Sequence, residues 1–163
     1  MSEPTPILSK IETKMAEQIS GMSLGAGYYF EWGSVNEPDI AKQQFPSAEI
    51  VVESELNLDE KEGAWSQAYE QEASFLIKVR VTLDNETERP LYEVNTELNK
   101  ALEDLKRLFG RNYTVSDSCE TIMYRSMQRV TDKGNDIFRP AYLETRWLVR
   151  YTQDRREPSS LSN

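Results

Sequence analysis

The sequence predicts an α+β fold, a mostly antiparallel β-sheet with two amphipathic helices packed on one face, and three observations carry that expectation. Leu8, Ile11, Met15 and Ile19 recur at three- and four-residue spacings, as do Leu91, Val94, Leu98, Leu102, Leu105 and Leu108, so two helices each carry one apolar stripe. "ASFLIKVRVTL" (73–83) and "RPAYLETRWLVRYTQ" (139–153) instead alternate with period two, as half-buried strands do. Strands joined by turns pair antiparallel and leave one apolar sheet face for both helices to cover.

The first helix is expected over residues 7–20, broken by Gly21, with Gly25 and Gly27 reversing the chain. "GYYFEWG" (27–33) reads as a short aromatic strand, followed by a polar loop through Pro38. "PSAEIVVESELN" (46–57) is a strand rich in β-branched residues with acids on its outer side, and residues 57–63 form an acidic turn. In 73–83, Ala73, Phe75, Ile77, Val79, Val81 and Leu83 make the core face, and Ser74, Lys78, Arg80 and Thr82 mark the other. "DNETERP" ends that strand, the second helix spans 91–109 with Gly110 as its stop, and 119–130 is the fourth strand, closed by the turn "TDKGND". In the last strand Ala141, Leu143, Thr145, Trp147, Val149 and Tyr151 face the core, while Tyr142, Glu144, Arg146, Leu148, Arg150 and Thr152 face away. One domain over 1–156 with a frayed tail at 157–163 accounts for the 163 residues, which show no internal repeat and no linker.

Composition narrows the function classes. No stretch approaches the roughly 20 apolar residues of a membrane span, and the first residues show no signal-peptide pattern. Cys119 is the single cysteine, so no internal disulfide forms and a reducing compartment is expected. A net charge of −9 argues against nucleic acid bound on a basic surface. The charge is unevenly placed: residues 1–72 hold 14 acids and 4 bases, residues 73–163 hold 14 acids and 15 bases. That asymmetry fits either a solvated surface or the two halves of a head-to-tail contact between copies.

Little points to catalysis. The chain has no histidine, the commonest general acid–base group and metal ligand. Glu53, Glu55, Asp59, Glu60 and Glu62 crowd together but lack the alternating acids and fixed glycine of a calcium loop, and read as a solvated acidic loop. Gly25-Ala26-Gly27 follows a helix rather than a strand, with Phe30 where a third phosphate-binding glycine would stand. Cys119 has no histidine to activate it and reads as a small buried side chain. No catalytic residue, cofactor site or metal site is therefore expected.

Binding features are stronger. Trp65 and Tyr69 lie in a polar stretch between strands, as interface anchors or as staples holding the loop on the sheet. Arg125 and Arg129 alternate with Met123 and Met127 on the fourth strand and, paired beside the last strand, would share a face with Arg146 and Arg150. Four arginines with Glu144 as the nearby acid suggest that this face meets an acidic surface, such as the acidic half of a neighbouring copy.

The order of elements, with "FPSAEIVVESE", "FLIKVRVTL", the leucine-striped helix and the closing "ETRWLVRYT", resembles the tail terminator proteins of long-tailed bacteriophages, whose relatives include minor tail and tail-completion proteins. The resemblance spans about residues 7–153 and is one of architecture and strand texture, with no chemical motif. It implies a structural virion protein forming a ring, commonly a hexamer, at the head-proximal end of the tail tube. Such a ring ends tube polymerisation and joins tail to neck, so the implied partners are further copies of itself, the tail tube protein and a neck or connector protein. It implies assembly in the host cytoplasm, no enzymatic activity, no cofactor and no membrane, with DNA passing through the ring; the chain's acidic balance is compatible with this, because a lumen bearing acids would repel phosphate. Other readings of the same residues are a different neck or tube component, a small-ligand or peptide module with "GYYFEW" as an aromatic pocket, and a hydrolase using paired carboxylates.

Overall fold

A computed structural model describes residues 5–58, 68–82, 90–132 and 139–154. Two helices, α1 (Ile7–Ser20) and α2 (Leu91–Arg111), cover one face of a five-stranded sheet of β1 (Ser34–Val35), β2 (Ser47–Asn57), β3 (Ala68–Arg80), β4 (Thr121–Asp132) and β5 (Arg139–Asp154). The strand order is β1-β2-β3-β5-β4. All pairings are antiparallel except the short β1–β2 contact, which is parallel. The predicted α+β class, mostly antiparallel with both helices on one side, is the fold observed.

The topology follows from the lengths of the connections. β3 and β4 each pair antiparallel with β5, so they run parallel to one another with β5 between them. Parallel strands need a crossover long enough to return the chain, and α2 supplies it.

One core lies between sheet and helices. α1 buries Ile7, Ile11, Met15 and Ile19 at intervals of four. α2 contributes Val94, Leu98, Ala101, Leu105, Leu108 and Phe109. The sheet answers with Ala48 and Ile50 from β2, Ala73, Phe75, Ile77 and Val79 from β3, and Leu143, Trp147, Val149 and Tyr151 from β5. Trp147 packs edge-on against Phe109 at 5.0 Å and Tyr124 at 5.4 Å between ring centroids. Thr145, polar on this apolar face, is satisfied: its hydroxyl donates to the Ile77 carbonyl at 3.0 Å and accepts from the Trp147 indole N–H at 2.8 Å.

Several boundaries differ from expectation. Gly110 does not stop α2, which runs to Arg111. The fourth strand is displaced by two residues, from 119–130 to Thr121–Asp132. "GYYFEWG" is not a strand: a carboxylate on α2 takes the backbone N–H groups of Tyr29 and Phe30, which a ladder would need, and the strand follows at Ser34–Val35. The glycine-rich reversal is as read, a single turn over Leu24–Ala26 closed by Gly27 at φ 88°, where a side chain would be strained.

Candidate functional site

Opposite the helices, no described element covers the sheet, and this face carries the charged residues of the alternating strands. Opposite signs face one another directly in the ladder: Glu49 with Lys78, Lys78 with Glu144, and Glu72 with Arg150. Arg146 grips Glu53 through two bonds, Nε at 3.3 Å and a terminal nitrogen at 3.2 Å, and lies 3.5 Å from Glu144. Arg150 donates to Glu72 at 3.1 Å. The acids expected from a neighbouring copy are thus supplied to Arg146 and Arg150 within the subunit, because β3 lies beside β5 and β2 beside β3.

Nor do the four arginines share a face. The register shifts between Tyr124 and Ser126, leaving Arg125 without a partner residue in the ladder. A bulge of one residue reverses the alternation beyond it. Arg129 consequently lies opposite Leu143 on the helix side, where it donates to the side-chain oxygen of Asn99 on α2 at 2.5 Å. Arg125 and Arg129 remain exposed on β4.

β4 is an edge strand, and among the described residues no strand pairs with its outer side. Its beginning is covered, since the Ile122 N–H donates to the Tyr113 carbonyl at 2.8 Å. Beyond that point large apolar side chains are partly exposed: Met123 is 50% exposed, Met127 37%, and Tyr124, packed on Trp147, 38%. The opposite edge is also partly open. β1 covers β2 only at Ser47 and Ala48, and the Asn36 side chain accepts from the Ile50 N–H at 2.8 Å. Residues 51–57 of β2 have no strand on that side among the described residues.

A different feature was missed in the sequence. Asp104, fully buried on α2, accepts hydrogen bonds from the Tyr29 N–H at 2.8 Å, the Phe30 N–H at 3.1 Å and the Trp32 indole at 3.1 Å. Arg107 stands 3.9 Å from the same carboxylate and donates to the Gly27 carbonyl at 2.8 Å, while Arg111 reaches the Ala26 carbonyl at 3.2 Å. The aromatic segment is therefore pinned to α2, and beside it opens a cleft of about 640 Å3, lined among others by Met22, Leu24, Tyr29, Phe30, Trp32 and Pro46. A Cβ at Gly33 would lie 2.4 Å from the Gln44 side-chain oxygen, so a larger residue there would displace that side chain.

The remaining candidates divide simply. Trp65 lies outside the described residues, and the backbone of Tyr69 sits in β3 opposite Gln153. Of the acidic run, Glu53 is paired with Arg146 and Glu55 accepts from the Tyr151 hydroxyl, while Asp59, Glu60 and Glu62 fall outside the described residues. Among the described residues no group of three or more Cys, Asp or Glu side chains is placed to hold a metal ion, and no helix is long and apolar enough to cross a membrane. Cys119 is buried, and burial, with Glu120 adding repulsion, pushes its thiol from 9.0 to about 12. No family model and no curated protein matches this chain.

Proposed function

We propose that the protein is a structural, ring-forming subunit of the tail-terminator kind, closing the head-proximal end of a phage tail tube and joining it to the neck. The observation that carries this reading is the β4 edge, a 12-residue strand with exposed Met123, Tyr124 and Met127. Unpaired strand edges template pairing with another chain; the bulge and the two arginines of β4 oppose non-specific pairing, while its exposed apolar side chains favour a partner that also supplies acids. The resemblance in element order and strand texture over residues 7–153 supports the tail role specifically, with the tube protein and a neck protein as the further partners. A terminator binds the growing face of a tube and presents an unlike face outward, so tube growth stops. Electron microscopy of tails assembled with and without the protein tests this: capped tubes of uniform length are expected, and unchanged tube growth in its presence would refute the role.

One observation favours a second reading. The cleft beside Tyr29, Phe30 and Trp32 is large enough for a small ligand or a peptide side chain. A ligand screen by thermal shift separates the two readings: a compound that stabilises the monomer and is lost on Tyr29→Ala favours a binding module, whereas no such compound leaves the ring reading preferred.

A further inference from the structure

We infer that the outer edge of β2 at residues 51–56, in a second copy of this chain, is what pairs with the β4 edge, antiparallel and head to tail, so that the sheet continues from subunit to subunit. The inference rests on the ring reading above and names the surfaces that close the ring. Three observations carry it.

The first is that both edges are open in one subunit, at opposite sides of the sheet. Among the described residues, no strand pairs with β4 beyond Ile122, where Tyr113 ends its cover, or with the outer side of β2 beyond Ile50, where Asn36 ends its own. Each offers a run of about the length of an ordinary strand, interrupted by a register shift between Val52 and Ser54 in β2 and between Tyr124 and Ser126 in β4.

The second is strand direction. β2 runs antiparallel to β3, β3 to β5 and β5 to β4, so three reversals leave β2 and β4 pointing opposite ways. A rotation about an axis along the strands keeps every strand's direction. The β2 of the next copy therefore arrives beside β4 already antiparallel, and repeating the operation closes a ring.

The third is charge, which selects this pairing over the alternatives. β4 carries Arg125 and Arg129, with Asp132 only at its end; β2 carries Glu49, Glu53 and Glu55 and no base. Pairing β4 with β4, or β2 with β2, sets like charges together, which disfavours a symmetric dimer. Pairing β4 with β2 sets arginines beside glutamates. Arg129 and Glu55 both lie on the helix side of their strands, opposite Leu143 and Ala73 respectively. The internal bonds of Glu53 and Glu55 do not prevent this, because a carboxylate has about four acceptor positions.

Cysteine pairs test the contact. Leu56 projects from β2 on the face away from the helices, opposite Glu72, as do Ser126, Gln128 and Val130 from β4, opposite Arg146, Glu144 and Tyr142. Leu56→Cys is combined in turn with Ser126→Cys, Gln128→Cys or Val130→Cys, oxidised at low salt, and run without reductant, with native mass spectrometry of the unmodified protein alongside. Directly opposed residues lie within disulfide reach, and three β4 positions cover the registers. Cys119 stays in place, buried and protonated. The expected result is a ladder of covalent multimers from at least one double variant and none from any variant with one introduced cysteine. Covalent dimers from a β4 cysteine alone would show that like edges meet, and would overturn the inference. Assembly of the unmodified protein with no ladder from any pair would overturn it while leaving the ring reading standing. A protein that does not assemble at all would overturn both.

Discussion

Asp104 shows how one side chain organises a segment that its own sequence describes poorly. A carboxylate three residues after Ala101 and four before Leu108 stands on the buried stripe of α2, and that position was the signal available in the sequence. It went unread because acids are usually solvated; what makes this one tolerable is the set of three N–H donors that converge on it. Asp104→Ala leaves those donors unsatisfied, and a loss of about 3 kcal/mol in a urea titration is expected. Asp104→Asn, which keeps one acceptor oxygen, should lose less. Cys119 makes a second prediction. Its folded thiol is raised from 9.0 to about 12, so the native protein should resist a thiol reagent at pH 8 and react once unfolded. The sign for stability follows: the unfolded thiol ionises first, so this group's contribution is intact below pH 9 and falls as pH rises from there towards about 12.

The elements were legible wherever periodicity alone decides. The boundaries of α1 match the expected 7–20, and the core face of β5 from Leu143 to Tyr151 is buried as its alternation implied. What periodicity does not encode is an interruption of the ladder. The bulge at Arg125 adds one residue, carries Arg129 to the helix side and separates it from Arg146 and Arg150. Strand order is equally silent in a local pattern, so the partners Glu53 and Glu72, distant along the chain, could not be assigned to Arg146 and Arg150. The two pairs of arginines should therefore behave differently. Arg146→Glu with Arg150→Glu breaks partly exposed ion pairs and should lower monomer stability by about 1–2 kcal/mol without abolishing assembly. Arg125→Glu with Arg129→Glu should abolish assembly at low salt while circular dichroism of the monomer is unchanged. Trp65→Ala with Tyr69→Ala tests whether these aromatics are the anchors that bind the ring to the tube end: rings should then still form but fail to cap tubes, so that tails grow too long, and normal tail lengths in a complementation assay would exclude that role.

At the scale of the whole fold, the uneven charge of the sequence falls on two unlike sides. Residues 1–72, with 14 acids and 4 bases, include α1, β1 and β2 at one side of the sheet; residues 73–163, with 14 acids and 15 bases, include α2, β5 and the β4 edge at the other. Unlike sides favour contacts that repeat by rotation, and contacts that are partly electrostatic weaken with salt. Sedimentation should accordingly show association that decreases between about 0.05 and 0.5 M salt. Native mass spectrometry at high protein concentration and low salt is the most direct measurement of ring formation. One closed oligomer of fixed subunit number, dissociating to monomer as salt is raised, is the expected result; a monomer under all these conditions, or an open-ended series of sizes, would contradict it.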